Sequence, residues 1–355
     1  MDVHQFATSL SYGDAISDEM LEIQGVLREK GFRSEIFVKM FDPRSAGYVK
    51  DYREYKRFSS PENVVIFHFS IGSPVSKLFS RVPDRKMMIY HNITPHDYFV
   101  DSHRILTREC YKGRLEINLF IDKVDLAVGD SEFNRRELEA VGYKATGVLP
   151  ILMNFAKFDG RPDPVTTRIF DNGKTTLLYV GRLIPNKKFD DVIKTFYFYK
   201  RYFDPEAQLI LAGDYRGLER HFAALQELAA KLRITDVHFS GHITFAELLA
   251  FYRTADFYIS MSEHEGFGVP ILEAFYNRIP VIGYAAGAVE ETMNGGGVAL
   301  YAKDFLRTAA LIDRIRSDDS LRTRIVQGQL EALRKFSREN ISRILLDLVG
   351  RVRRA

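Results

Sequence analysis

Ser262-Glu263-His264-Glu265-Gly266-Phe267-Gly268-Val269-Pro270-Ile271-Leu272-Glu273 sets two glutamates eight positions apart around a Gly-Phe-Gly turn. Residues 255–260, Ala-Asp-Phe-Tyr-Ile-Ser, predict a buried strand just upstream. Residues 269–277 predict a helix with Pro270 in its first turn, where a missing N–H is harmless. The turn therefore joins the carboxyl end of a strand to the amino end of a helix, where open α/β sheets bind ligands. Exposed N–H groups and the helix dipole there suit an anion such as phosphate. Glu273 falls inside the helix, about one turn beyond that anion position, where it could accept hydrogen bonds from both hydroxyls of a ribose. Glu265, on the loop, could do the same for a second sugar. Glycines that only solve a backbone problem are the plainer reading of a lone Gly-x-Gly. The two carboxylates and a second motif weigh against it.

That second motif is Val180-Gly181-Arg182-Leu183-Ile184-Pro185-Asn186-Lys187. It follows a predicted strand at residues 176–180. Gly181 lets the chain turn, and Arg182 and Lys187 lie five positions apart across a short loop. A guanidinium can grip one phosphate through two N–H groups while an ammonium acts as a point charge on another. Alone, the pair would equally fit solvated surface charge.

Working outward, the chain alternates short strands with helices. Strands are predicted at 4–9, 34–39, 63–69, 86–90, 125–129 and 146–149, making one parallel domain that ends near residue 155. A helix over 14–30 puts Ile16, Met20, Ile23 and Leu27 on one face and closes at Gly31. Ser131 is the N-cap of a helix reaching Ala140. The polar, turn-rich stretch 157–174 is expected to be a linker. Strands at 176–180, 207–212, 237–240, 256–260 and 281–284 then build a second domain over 156–335, with Thr244 and Glu247 at capping-box spacing. Residues 336–355 form a final helix with Ile341, Ile344, Leu345, Leu348, Val349 and Val352 on one side and arginines around it. It would either rest on anionic lipid or pack across the two domains with a solvated basic rim, and the block 336–355 is expected to return to the first domain. The expected architecture is α/β, two doubly wound parallel sheets with a cleft between them.

Bulk properties narrow the class. At 355 residues the chain exceeds one comfortable core. A formal charge of +3 with no basic tract argues against a nucleic-acid partner. Cys110 is the single cysteine, which excludes an internal disulfide and any multi-cysteine zinc site and fits a reducing compartment. The first residues do not read as a secretory signal, and no run of 18 apolar residues occurs. A cytoplasmic location is expected.

Taken together, the two motifs resemble the retaining glycosyltransferase family 4, with its GT-B fold of two Rossmann-like domains. The resemblance is strongest over residues 175–301, where Ala286-Gly287-Ala288-Val289-Glu290 is similar to the family's small-residue segment before a glutamate. In the first domain, Ser11-Tyr12-Gly13-Asp14-Ala15 looks like a shortened glycine loop. Tyr90-His91-Asn92 lies where the family carries a histidine at a strand end. Lys188 departs from the pattern, standing where glycine is usual, and Gly13 is single where many relatives have a pair.

Carried over position by position, the resemblance implies that Arg182 and Lys187 neutralise a donor diphosphate. The amides near Gly268 and Val269 would hold its distal phosphate, and Glu273 the ribose. Glu265, with Gly266 and Phe267, would hold the donor sugar. Gly13 would let the first domain's backbone approach the phosphate, His91 would face the sugar from the opposite wall, and the main chain near His242 would touch the base. His68 is expected to be a satisfied core histidine. His96 and Asp97 lie on a loop that either meets an acceptor or has no role.

The implied reaction moves a hexose from a nucleotide-diphosphate sugar to a hydroxyl of a glycan or lipid-linked acceptor, with retention, in polysaccharide biosynthesis. No separate cofactor is implied. The chain has no Asp-x-Asp pair to carry a bridging metal, so no metal is expected. Likeness to bacterial mannosyltransferases favours GDP-mannose, and a peripheral position at the inner face of the membrane is the further expectation. A nucleotide-sugar epimerase of the same fold, or a non-catalytic nucleotide-sugar-binding subunit, stays open as an alternative.

Overall fold

The computed structural model describes residues 1–11 and 13–354, so Tyr12 of the first glycine loop and Ala355 of the final helix lie outside the described residues. Two compact units result: residues 1–97, 105–154 and 335–355 make the first, and residues 98–104 and 155–334 the second.

The first unit holds a seven-stranded sheet: β1 (Val3–Leu10), β2 (Ile36–Phe41), β3 (Val49–Asp51), β4 (Val64–Phe69), β5 (Arg85–Tyr90), β6 (Leu126–Gly129) and β7 (Thr146–Val148). Their spatial order is β3-β2-β1-β4-β5-β6-β7, and every pairing is parallel. Sheets of this kind are covered on both faces, so central strands read as apolar runs without alternation. Strand β4, Val-Val-Ile-Phe-His-Phe, is buried along its whole length, and His68 is its one polar residue. The first helix is Ala15–Glu29. Asp14 caps it by accepting from the Ser17 amide, and Gly31 follows it at φ +83°.

The second unit holds six parallel strands: β8 (Thr176–Val180), β9 (Gln208–Ala212), β10 (Val237–Gly241), β11 (Phe257–Ser260), β12 (Val281–Tyr284) and β13 (Val298–Leu300), in the order β10-β9-β8-β11-β12-β13. From β8 the chain winds outward through β9 and β10. It then returns to start at β11 beside β8 and winds the other way through β12 and β13. The crevice at the carboxyl ends of β8 and β11 is thus a topological switch point. In the first unit the same reversal lies between β1 and β4.

Two features differ from the sequence expectation. Edge strands β3 and β13 are additional, each only three residues long and half-buried, too short to show a period. The polar stretch 157–174 contains a helix, Pro164–Phe170, capped by Asp163 and packed through Phe170 on Phe251 of the helix Phe245–Thr254. The final helix, Arg338–Arg354, belongs to the first unit. Its Ile341, Leu345, Leu348, Val349 and Val352 join Val3, Val64, Met87 and Leu126 in one core. Arg338 binds Glu29 at 2.7 Å and Glu22 at 3.4 Å on the first helix. Its apolar side is thus committed to the core of the first unit and does not lie across both units.

Because Leu345 is fully buried there, Leu345→Ala should destabilise the first unit by about 2–5 kcal/mol. Urea unfolding followed by circular dichroism would measure it, and an unchanged midpoint would contradict this packing.

Candidate functional site

Both motifs flank the switch point of the second sheet. Residues 181–187 leave β8 and residues 261–268 leave β11, two strands that pair directly. The loops are stitched together. The Glu263 amide donates to the Asn186 carbonyl at 2.8 Å, and the Asn186 side chain donates to the His264 carbonyl at 3.0 Å. The Ser262 hydroxyl lies 3.1 Å from the Asn186 carbonyl and 3.2 Å from that of His264. Ser262 and Asn186 are essentially buried. Neither was singled out in the sequence as a site residue, although Asn186 stands beside Lys187 and Ser262 opens the deciding stretch.

Lys187 and Glu265, expected on different parts of a ligand, meet each other: the ammonium lies 2.6 Å from both carboxylate oxygens. Arg182 is exposed, and its guanidinium makes no hydrogen bond or ion pair among the described residues. Gly181 turns the chain where β8 and β9 end so close that a Cβ on Gly213 would lie 1.8 Å from the Gly181 carbonyl oxygen. Lys188 adopts φ +51°, ψ +47°, the left-handed conformation that glycine takes without strain. The departure from the family pattern is thus a change of residue with the glycine-type backbone kept.

Gly268, at φ +99°, begins the helix Val269–Tyr276, with Pro270 in its first turn. Gly266 and Phe267 precede it, and Phe267 is buried. Glu273 is buried on that helix, and its Oε2 accepts a 2.6 Å hydrogen bond from the Tyr252 hydroxyl. Burial, and then the Glu273 charge, push the Tyr252 phenol well above its usual range, so it stays a donor. Tyr252 was not anticipated; it is 21 positions upstream, on the helix Phe245–Thr254. The small-residue segment 286–288 buttresses the loop from the other side. The Ala288 amide donates to the Glu265 carbonyl at 2.9 Å, and the Thr292 hydroxyl to the Phe267 carbonyl at 2.6 Å. A Cβ on Gly287 would sit 2.4 Å from the Glu265 carbonyl oxygen. His242 is exposed just past β10.

Gly13 and His91 lie in the first unit. Gly13 has φ +79° and open space around it. His91 ends β5, and its side chain is only 1 % exposed, turned onto His68, Glu19 and Asp130. The protons of this cluster can be inferred. The Gln5 amide donates to the Met20 carbonyl at 3.0 Å, so its oxygen faces His68 Nε2 at 2.9 Å and that nitrogen carries hydrogen. His68 Nδ1 then accepts from His91 Nε2 at 2.9 Å. His91 Nδ1 faces the Asp130 carboxylate at 3.5 Å. Burial disfavours charge on His91, but Asp130 and Glu19 outweigh it and raise its pKa. Burial pushes Glu19 up to about 7, with His91 opposing, and holds His68 well below the usual imidazole value.

Glu19, His68 and His91 are also the group whose donor atoms converge, within 4.8 Å, closely enough to hold a metal ion among the described residues. A proton shared between the two rings accounts for their 2.9 Å spacing. His68 is a satisfied core histidine, as expected, but its partner is His91. Glu19 and Asp130 were missed. The available signal was a carboxylate on the buried face of the first helix, beside Met20 and four before Ile23.

The family model described as glycosyl transferases group 1 matches residues 167–350. The chain belongs to this family. It is a family of retaining hexosyltransferases with the GT-B fold. Mannosylfructose-phosphate synthase of Agrobacterium fabrum is 27 % identical over 190 residues, covering 52 % of this chain and 40 % of that protein. The chain thus spans less than half the length of that relative. O-antigen chain mannosyltransferase B of Escherichia coli is 24 % identical over 326 residues, 88 % of this chain and 79 % of that one. Among solved structures, Anabaena HepE in complex with UDP-glucose superposes with a TM-score of 0.77 at 15 % identity, over 99 % of this chain and 100 % of that one. At that identity the likeness is one of fold.

Two glycine-type positions should respond oppositely to substitution. Gly287→Ala, strained in backbone and in contact with Glu265, should cost about 1–3 kcal/mol. Lys188→Gly, relieved of left-handed strain, should be neutral or stabilise by up to about 1 kcal/mol. Thermal unfolding of the two variants would check both signs.

Proposed function

We propose that this group 1 glycosyltransferase moves a hexose from a nucleoside-diphosphate sugar to a hydroxyl of a glycan or lipid-linked acceptor in polysaccharide biosynthesis, retaining the anomeric configuration. One observation carries the reading. Arg182, the Lys187–Glu265 pair, the Gly268-led helix start and the Tyr252-supported Glu273 all gather at the carboxyl ends of β8 and β11.

Each group has a task in this reaction. The departing diphosphate carries growing negative charge, and Arg182 is the exposed cation available to meet it. Lys187 would turn from Glu265 toward the diphosphate as the donor enters, leaving Glu265 to accept hydroxyl hydrogens of the sugar. The amides of Gly268 and Val269 and the helix dipole would hold the distal phosphate. The backbone of Gly266 and Phe267 would line the sugar. Glu273, already oriented by Tyr252, would take the ribose hydroxyls, and the main chain beside His242 the base. Stabilising the leaving oxygens with such preorganised charge is the main contribution the protein makes.

From the first unit, Gly13 would let the backbone approach the phosphate. His91 would act on the sugar side through the segment it anchors, since its ring faces inward. We propose GDP-mannose as donor. The mannosyl names of the Agrobacterium and Escherichia relatives support it, while the UDP-glucose complex of HepE marks the competing base and sugar. The reaction needs no metal on the diphosphate when Arg182, Lys187 and the helix start supply the positive charge. A peripheral cytoplasmic position at the inner face of the membrane fits such an acceptor.

Arg182→Ala should slow nucleoside-diphosphate release by about 10²–10³-fold, equivalent to about 2.7–4 kcal/mol. Glu273→Ala should weaken the donor-induced thermal shift by about 1.5–3 kcal/mol of binding. A panel of nucleotide sugars, each assayed with and without acceptor extract, would test both. Full donor response in both variants would overturn the site, and donor conversion with no acceptor would point to an epimerase.

A further inference from the structure

Three buried side chains of the first unit each aim one donor atom at a common point. Glu19 lies on the first helix, His68 near the end of β4 and His91 at the end of β5. Their side chains are 0 %, 0 % and 1 % exposed. His68 Nδ1 and His91 Nε2 are 2.9 Å apart, and Glu19 Oε2 is 4.0 Å from the first and 3.7 Å from the second. The point equidistant from all three lies about 2.1 Å from each, the bond length of zinc to an imidazole nitrogen or a carboxylate oxygen. Glu19 Oε2 makes no hydrogen bond among the described residues, although it is fully buried. The other ends of the three groups are already held. His68 Nε2 donates to Gln5 Oε1 at 2.9 Å, and Glu19 Oε1 accepts from the Leu152 amide at 3.3 Å. His91 Nδ1 faces Asp130 Oδ2 at 3.5 Å, while the other oxygen of Asp130 accepts from the Asn134 side chain. Metal-ligating histidines ordinarily give their second ring nitrogen to such a carboxylate or carbonyl oxygen.

We propose that Glu19, His68 and His91 bind a zinc ion that ties the first helix to the ends of β4 and β5. Two imidazoles and a carboxylate suit zinc better than magnesium or calcium, which take oxygen donors. Tetrahedral zinc spaces its donors about 3.4 Å apart, and the three separations here scatter about that value. An octahedral iron triad needs all three at about 3.0 Å, which both Glu19 separations exceed. The charge matches as well, since Glu19 and Asp130 bring two carboxylates to a dication. In the metal-free protein the proton on His91 Nε2 bridges the two rings. Zinc takes its place, and that proton leaves to solvent with any proton on Glu19, while His91 Nδ1 keeps its own toward Asp130. Three protein donors leave one tetrahedral position for a water or a further ligand. Gly13 stands six positions before Glu19, so the ion would also steady the glycine loop that leads into the helix. The site lies wholly in the first unit, whereas the motifs proposed to hold the diphosphate lie in the second. It therefore does not rest on the proposed reaction.

Metal analysis of the untagged full chain tests the assignment. Because the donors are buried, the ion is supplied while the chain folds, by expression in zinc-supplemented medium and purification without chelator. The parent should carry about one zinc per chain, with two imidazoles in its first shell by X-ray absorption at about 2.0 Å. Parent from zinc-depleted medium should melt about 5–10 °C lower. Glu19→Gln and His68→Asn should each lower the zinc content at least about tenfold, and Asp130→Asn should weaken retention against a chelator by about 10–100-fold. A parent without zinc overturns the proposal, as do equal melting temperatures with and without it. So does zinc retained in full by folded Glu19→Gln and His68→Asn chains, which would place the ion elsewhere. If neither variant folds, the absorption spectrum of the parent decides, and a first shell without two imidazoles overturns the proposal. Loss of the donor-induced thermal shift in the zinc-loaded parent would strike the proposed reaction and leave the zinc site standing.

Discussion

Everything at the candidate site depends on the strand order of the second sheet reversing between β8 and β11. Where winding changes direction, no helix crosses the carboxyl ends of the two strands, and their loops face each other over an open crevice. In this chain the loops are bound into one body by the Asn186 and Ser262 hydrogen bonds. The Gly181–Gly213 approach fixes the floor. A charged group on either loop is thereby held with little freedom left to lose on binding, which is the condition for preorganised electrostatics.

The Lys187–Glu265 pair gives that arrangement a resting state. A buried carboxylate without a partner is costly, and so is a buried ammonium. Each satisfies the other, the ammonium lying 2.6 Å from both carboxylate oxygens. On the proposed function, ligand entry would substitute one ionic contact for another at this pair. Tyr252 plays the corresponding part for Glu273, holding one carboxylate oxygen so that the side chain is oriented in the free protein.

Most of the fold was legible because its signals are local. Several central strands, such as β4 and β8, are largely apolar, and caps such as Asp14, Ser131 and Thr244 mark helix starts within one residue. Strands β3 and β13 escaped because three residues carry no period, and the helix Pro164–Phe170 escaped because its composition is that of a turn. At the site, Arg182, Lys187, Glu265 and Glu273 were legible because each sits in a motif with a backbone reason for its spacing. Their partners were not. Tyr252, Glu19 and Asp130 reach the positions they support only through tertiary packing, which no interval along the chain encodes. The pairing of Lys187 with Glu265, 78 positions apart, is of the same kind.

The final helix has a bearing on how the molecule is made. Leu345, Leu348, Val349 and Val352 fill the same core as Val3 and Val64, so the first sheet lacks one of its covering layers until residues 335–354 have been synthesised. Domains ordinarily fold in turn as the ribosome releases them. Here the second unit is complete while the first still waits, its apolar face open for the time needed to translate the intervening 180 residues (155–334). The half of the molecule that is read first is thus the half that matures last. Loss of the last few turns would leave the nascent first sheet exposed to self-association.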